Sequence, residues 1–241
     1  MNVAQQKTVG EIAAEYPAAV KVFQKHGIDF CCGGNRPIAD ACREKGIEDR
    51  VVLDELDAAL TPSGDVPRFS AWDLDFLASY IVANHHSYVR GAIETLRKHT
   101  SRVAEVHGER HPETVAIARH FDAIADEMTH HMLKEERVLF PYITALAAAA
   151  RTGVRLVPAP FGSAANPIRM MEAEHESAGA TMAEIRRLSG NYEPPGDACT
   201  TFKVSYQELE AFESDLHRHV HLENNILFPK ALRLEAELLN G

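Results

Sequence analysis

The chain has 241 residues, of which 45% are hydrophobic and 25% are charged, a composition ordinary for a soluble globular protein. Its formal net charge of −10 argues against nucleic acid as the main partner, because phosphate binding needs a basic face. The 13 histidines are more informative, since histidine is the commonest metal ligand and several of these histidines are regularly spaced.

The sequence predicts a cytoplasmic protein with no membrane association. The stretch from Met1 to Tyr16 lacks the apolar region of a signal peptide, and the longest apolar stretch, near 143–150, is too short to span a bilayer. Two of the four cysteines are adjacent, a poor geometry for a disulfide framework. We therefore expect a reducing compartment.

Residues 8 to about 60 carry short helical patterns that are broken by Pro17, Gly27 and the turn Gly33-Gly34-Asn35. The next segment, Thr61-Pro-Ser-Gly-Asp-Val-Pro67, has the composition of a linker. The predicted organisation is a small helical domain over 1–60, a linker over 61–69 and a second domain over 70–241.

The second domain is predicted to contain four long helices. Ser70-Ala-Trp-Asp73 resembles a capping box and predicts the start of the first helix. Asn166-Pro167 has the pattern of an N-cap followed by a first-turn proline and predicts the start of the third. No strand-like alternation is sustained, so the predicted fold is all-α, with an antiparallel four-helix bundle in the second domain. The predicted spans are 70 to about 102–108, 112–150, 166–189 and 200–239.

One motif occurs twice. His131-Met-Leu-Lys-Glu135 is followed by Leu139-Phe140-Pro141, and His219-Val-His-Leu-Glu223 is followed by Leu227-Phe228-Pro229. Every matched residue is displaced by 88 positions, which indicates a duplicated unit. Because positions four apart share one face of a helix, each copy directs an imidazole and a carboxylate to one point. The two prolines predict a kink just beyond each pair, or else the end of each helix.

Each predicted long helix also offers one histidine at a matching place, and inward ligands on four helices are a standard way to build a dinuclear site. Two imidazoles per metal and one oxygen from each bridging carboxylate leave an octahedral ion two further positions, one for an oxo or hydroxo bridge and one open. Mixed imidazole and carboxylate ligands favour non-haem iron, with manganese a second choice and zinc less suited. The predicted ligands are His85, His131, Glu135, His175, His219 and Glu223, with His86 as the alternative to His85. Glu174, and also Glu136 and Glu172, are candidates to hydrogen-bond a ligand imidazole.

These motifs resemble a known family. His131-x-x-x-Glu135-Glu-x-x-Leu-Phe-Pro, Asn166-Pro-Ile-Arg-x-Met-Glu-x-Glu-His175 and the second copy are similar to the haemerythrin-like domain of the iron–sulfur cluster repair di-iron proteins. Thr8-Val-Gly-Glu-Ile and Phe23-x-x-x-Gly27-Ile-Asp-Phe-Cys-Cys-Gly-Gly34 resemble the vicinal-cysteine domain of the same family. Ordinary haemerythrins carry a fifth histidine where this chain has Gly179, so the resemblance implies an open position on both irons.

The resemblance implies a stress-response protein with two non-haem irons per chain, which restores iron–sulfur clusters damaged by nitric oxide or peroxide by supplying iron to damaged or apo iron–sulfur proteins. One alternative is a nitric oxide reductase at the same centre, and another is a sensor or carrier that binds NO or O2. Enzymatic activity and the association of two chains as a homodimer both stay open.

The adjacent Cys31 and Cys32 lie in a tight turn whose backbone amides are expected to lower the pKa of a thiolate. Three uses follow: reducing the di-iron centre, transferring iron, or docking on the damaged protein. A buried structural pair is the alternative. Cys42 and Cys199 show no partner spacing and are predicted to be structural.

Overall fold

The computed structural model describes residues 7–59, 67–157 and 159–240, without the side chain of Asn240. Most of the predicted linker, residues 61–66, lies outside the described residues. The chain divides into two compact units: unit 1 is Met1–Leu77, Leu146–Leu156 and Arg218–Gly241, and unit 2 is Ala78–Ala145 and Val157–His217. The predicted domain boundaries at 60 and 70 stay predictions.

The prediction of an all-α chain is confirmed. The described residues form no strand and show two isolated bridges, Thr8 with Pro37 and Ala159 with Gly162. None of the described helices is long and apolar enough to cross a membrane. The α-helices are α1 (Val9–Glu15), α2 (Ala19–Lys25), α3 (Ile38–Lys45), α4 (Asp49–Ala59), α5 (Leu74–Ile81), α6 (Ser87–His107), α7 (Glu113–Lys134), α8 (Phe140–Thr152), α9 (Ala165–Leu188), α10 (Thr200–Leu222) and α11 (Phe228–Asn240).

In unit 1, short helices α1 to α4 pack on one another around a small apolar core. A capping box starts α1: the Thr8 hydroxyl accepts from the Glu11 amide, and the Glu11 carboxylate accepts from the Thr8 amide. Phe23 and Phe30 are both fully buried, with ring centroids 6.5 Å apart. Helix α1 also packs on the segment Glu223–Leu227, which belongs to the same unit.

In unit 2, helix α7 packs against both α6 and α9. Each of these helices buries an apolar stripe, with Leu96, Phe121 and Met182 among the fully buried residues. Phe121 also meets Phe212 of the same unit edge to face at 5.4 Å, a favourable aromatic geometry. This packing holds the long helices in a fixed register, which any site formed by their inward side chains requires.

Within the described residues, three π-helical turns interrupt the long helices, and helix periodicity in the sequence did not predict them. They are Val82–His86, Glu135–Leu139 and Glu223–Leu227. The last two stand at matching places in the duplicated motif, just before Pro141 and Pro229, where the missing amide already weakens the α-helical bonding. Helix continues beyond both prolines, so the alternative that the helices end there is wrong.

Two predicted helix starts are displaced. Helix α5 begins at Leu74 rather than just after Ser70, and the carbonyl of the preceding residue, Asp73, accepts from the Leu77 amide. Helix α9 begins at Ala165, with Ala164 as its N-cap. Asn166 therefore lies in the first turn, where its side-chain amide donates to the Phe161 carbonyl at 2.9 Å. Ser70 and Asn166 are polar residues near a helix start, and sequence patterns locate a helix start only to within a few residues.

Candidate metal centre

The first π turn decides which of two adjacent histidines faces inward in unit 2. Ile81 is fully buried, and an α-helix would bring His85, four residues later, onto the same face. A π turn holds one more residue, so His86 takes the inward place instead. His86 is completely buried, whereas His85 turns aside and its Nδ1 lies 2.9 Å from Asp215 Oδ1. This geometry favours His86, the alternative to the predicted ligand His85.

Glu135 stands between two imidazoles of unit 2. Its carboxylate is completely buried, and Oε2 lies 3.4 Å from Nε2 of His86 and 3.3 Å from Nε2 of His131. His175 joins the same cluster, because its Nε2 is 3.0 Å from Nε2 of His131. The candidate ligand atoms of His131, Glu135 and His175 all lie within 4.8 Å of one another. Unit 2 thus brings four potential ligands together without a thiolate among them.

Two further carboxylates orient the imidazoles. Glu136 Oε1 lies 2.6 Å from His86 Nδ1, and Glu174 Oε2 lies 2.8 Å from His131 Nδ1. A carboxylate accepts from an Nδ1–H, which leaves the Nε2 lone pair directed at Glu135, as in the carboxylate–histidine–metal arrangement. Arg90 contacts the Glu136 carboxylate and Lys134 contacts the Glu174 carboxylate. Each carboxylate is therefore also held in place by a cationic side chain.

The electrostatics of these carboxylates keep them ionised. The hydrogen bond from His131 lowers the pKa of Glu174 to about 2, against an opposing effect of burial. Burial would raise the pKa of Glu136, but the hydrogen bonds from His86 and Arg90 outweigh it and the pKa is lowered. Acceptors that stay charged at neutral pH hold the Nδ1 proton of each histidine, and therefore keep each Nε2 available as a ligand.

The second copy of the motif lies in unit 1. His219 and Glu223 are completely buried, and His219 Nε2 is 3.0 Å from Glu223 Oε1. Glu223 opens a π turn just as Glu135 does in the first copy. The duplicated sequence therefore folds into the same local geometry twice, with one imidazole and one carboxylate in contact on each helix.

The donor set fits iron. Buried carboxylates in contact with imidazoles are costly unless a cation or a proton lies among them. Imidazole and carboxylate ligands without thiolate are typical of non-haem iron and of manganese, and are unlike a tetrahedral structural zinc site. We conclude that the histidine and glutamate groups are able to hold a metal ion.

The cysteine turn, residues 29–34, is built around Asp29, a residue that the sequence analysis did not single out. The Asp29 carboxylate accepts hydrogen bonds from the amides of Cys31, Cys32 and Gly33 at 3.0, 3.0 and 2.9 Å. An aspartate whose side chain caps the following amides is a common turn device, and that is the signal by which it could have been found.

The expectation that the turn amides lower the pKa of a thiolate is wrong for Cys31. Those amides serve Asp29, and Cys31 Sγ lies 3.9 Å from Cys32 Sγ and 3.2 Å from Asp29 Oδ1. The neighbouring Cys32 thiol, burial and the Asp29 carboxylate all raise the pKa of Cys31. Cys31 is buried, whereas Cys32 is partly exposed, so the two thiols differ in access. Their role in redox chemistry or iron transfer stays a prediction.

The remaining two cysteines also differ from each other. Cys42 is buried in α3, which fits a structural residue. Cys199 is exposed, immediately before α10, and its Sγ lies 3.2 Å from Nε2 of His107. Its surroundings are not those of a structural core residue.

The fold and the site together define a helical cation-binding protein of the haemerythrin class. The model of the haemerythrin HHE cation binding domain matches residues 77–231, and a domain of unknown function (DUF542, ScdA_N) matches residues 5–60. Iron-sulfur cluster repair protein YtfE of Yersinia pseudotuberculosis is 34% identical over 235 residues, covering 96% of this chain and 99% of that protein. The protein of the same name from Yersinia pestis matches to the same extent. The chain belongs to this family of iron–sulfur cluster repair proteins.

Proposed function

We propose that this chain holds two irons in one dinuclear centre and supplies iron to iron–sulfur proteins whose clusters nitrosative or oxidative stress has damaged. The observation that carries the proposal is the buried cluster of His86, His131, Glu135 and His175, whose imidazoles are oriented by outer carboxylates. Membership of a family named for iron–sulfur cluster repair supports the acceptor. We place this activity in the cytoplasm.

The contacts within each unit support the ligands proposed for that unit. His131 and His175 approach each other to 3.0 Å through Nε2 and would share one iron. The other proposed ligands are His86 and Glu135 in unit 2 and His219 and Glu223 in unit 1, as the ligand pattern of the sequence predicts, with an oxo or hydroxo group between the irons. The match to a haemerythrin cation binding domain supports metal binding by these residues.

Iron is the cargo in this proposal, and the ligand residues of the chain bind it and release it. Each iron would have two neutral imidazoles and shares in two carboxylates, a modest set of protein ligands. Fe(II) has less charge for the carboxylates to stabilise than Fe(III), so an added one-electron reductant would weaken the binding of the cargo. The outer carboxylates Glu136 and Glu174 stay ionised, so the emptied site keeps its imidazoles oriented for reloading.

The test is transfer of iron-57 from the loaded chain to an apo iron–sulfur acceptor under anaerobic, reducing conditions with sulfide present. We expect Mössbauer signals of the label to move from a coupled iron pair to the cluster of the acceptor. A His131→Ala, Glu135→Ala double variant, which cannot hold the pair, is the matched control. Label that stays on the loaded chain would refute iron supply, and nitrous oxide formed from added NO would then favour the reductase alternative.

A further inference from the structure

The helical segment that carries His219 and Glu223 contacts the cysteine turn through its outer side, and both belong to unit 1. Asn225 lies within the π turn that Glu223 opens, and its Nδ2 donates to the carbonyls of Phe30 at 3.1 Å and Cys31 at 3.3 Å. His221 packs its ring against that of Phe30, with centroids 5.6 Å apart. Nδ1 of His221 also lies 3.1 Å from Asn225 Nδ2. Asn225 and His221 together are called the latch below.

The latch fits into a space that two glycines leave open. A Cβ built on Gly10 would overlap the Asn225 side chain, and one on Gly34 would lie 2.7 Å from Asn225 Oδ1. The Gly10 amide donates to the Gly34 carbonyl at 2.8 Å, which ties α1 to the cysteine turn at this point. Side chains larger than hydrogen at either position would push the latch away, so the contact is built for close approach.

The two copies of the motif differ where the latch lies. The ligand pair and the Leu-Phe-Pro sequence match, but Leu133 and Arg137 of the first copy correspond to His221 and Asn225 of the second. Residues two apart on a helix point about 200° away from each other, so the latch residues and the ligand residues occupy opposite sides of one helix. The second copy has therefore kept the inner ligand face and has a different outer face, which holds the cysteine turn.

We propose that the latch couples the cysteine turn to the ligand pair His219–Glu223, so that filling the pair with iron protects Cys32 and emptying it exposes Cys32. The inference rests on the proposed function, since it requires iron at this ligand pair. Glu223 and Asn225 share one π turn, so fixing the carboxylate on a metal also fixes the amide that holds the Phe30 and Cys31 carbonyls. Such coupling acts in both directions, and the state of the cysteine turn would affect how tightly iron is held.

The experiment measures the alkylation rate of Cys32 by iodoacetamide in the full chain, followed by mass spectrometry, with and without anaerobic loading by Fe(II). We expect loading to slow Cys32 at least about threefold in the wild type, as local opening becomes rarer. In Asn225→Asp, which keeps the shape but removes the donor, we expect a rate about tenfold above that of the loaded wild type, because two hydrogen bonds are lost. Loading should then no longer change the rate.

Two controls separate the latch from other effects. Asn224→Asp makes the same chemical change one residue away and should keep the protection. Gly10→Ala breaks the contact from the opposite side without altering the ligand helix, and should abolish the protection as Asn225→Asp does. Gly91→Ala is its matched control, because a Cβ there meets nothing within 4 Å.

Several outcomes would overturn the coupling. Equal rates in the loaded and metal-free wild type would show that the ligand pair does not affect the turn. Protection that persists in Asn225→Asp and Gly10→Ala would mean that iron shields the thiol directly. If Asn225→Asp fails to fold, Gly10→Ala decides the question alone. Iron content is measured in the same samples: absence of bound iron refutes the proposed function, whereas bound iron without protection refutes the latch only.

Discussion

Glu174 Oε2 accepts a hydrogen bond from His131 Nδ1 at 2.8 Å, while Lys134 contacts the other oxygen of the same carboxylate. His131 is almost fully buried, so its ring cannot rotate to replace this partner with water. The carboxylate therefore fixes both the tautomer and the direction of a side chain whose Nε2 lies 3.3 Å from Glu135. Glu174, His131 and Glu135 therefore form one continuous series of contacts.

Glu174→Gln should weaken iron binding by about 10-fold to 100-fold, the usual cost of losing an outer carboxylate partner. The amide keeps the shape of the side chain but offers a neutral acceptor in place of a charged one. Competition with a chelator of known affinity measures the effect. Glu176→Gln, an exposed neighbour in the same helix, is the control, and an equal loss in both variants would contradict a specific role of Glu174.

His86→Ala should lose iron, whereas His85→Ala should retain it. The π turn directs His86 to Glu135 and leaves His85 with Asp215, so only one of these neighbouring histidines is placed to bind metal. Metal analysis and the ligand-to-metal absorption of the reconstituted proteins distinguish the two variants. Iron loss in His85→Ala with full retention in His86→Ala would restore the original assignment from helical spacing.

Tyr206→Phe should reduce the decrease in the free energy of unfolding that the wild type shows at alkaline pH. Burial raises the pKa of Tyr206 to about 12, so its folding contribution is complete below pH 10, the ordinary value, and is lost as the pH rises toward 12. Between pH 9 and 11 the wild type should lose about 1 kcal/mol relative to the variant, as the unfolded chain ionises first. Urea unfolding at each pH measures this difference, and parallel curves would contradict it.

Cys199 should be alkylated faster than Cys31 and Cys42 in the native chain. Cys199 is exposed, whereas burial and neighbouring groups raise the pKa of both Cys31 and Cys42 and so reduce the reactive thiolate. Iodoacetamide labelling with peptide mass spectrometry gives all rates in one experiment. In urea the rates should converge, and a native Cys31 or Cys42 as fast as Cys199 would be inconsistent with the structure.

The candidate ligands in the two motif copies could be predicted because their pattern is local and repeated. His131 and Glu135 lie one α-turn apart, and so do His219 and Glu223, so α-helical spacing alone brings each pair to one face. The displacement of 88 positions made coincidence implausible. The all-α fold followed in the same way, from sustained helical periodicity and from loops rich in proline and glycine.

The inward position of His86 could not be predicted from helical spacing. A π turn looks like any other helical segment in sequence, because tertiary packing rather than composition stabilises its wider hydrogen bonding. Because the turn holds one extra residue, His86 rather than His85 lies on the inner face. Asp29 differs from His86, because its amide partners are two to four residues away and an aspartate turn is a local signal in the sequence.

By itself, the sequence determined the helical fold, the duplicated imidazole–carboxylate pairs and the family resemblance, since these depend on spacing along one helix. Only the tertiary structure decided which side chains meet across helices: Glu136 with His86, Glu174 with His131, and Asn225 with the carbonyls of the cysteine turn. Contacts between distant segments depend on the rotation of each helix, and a single wider turn changes that rotation by about one residue.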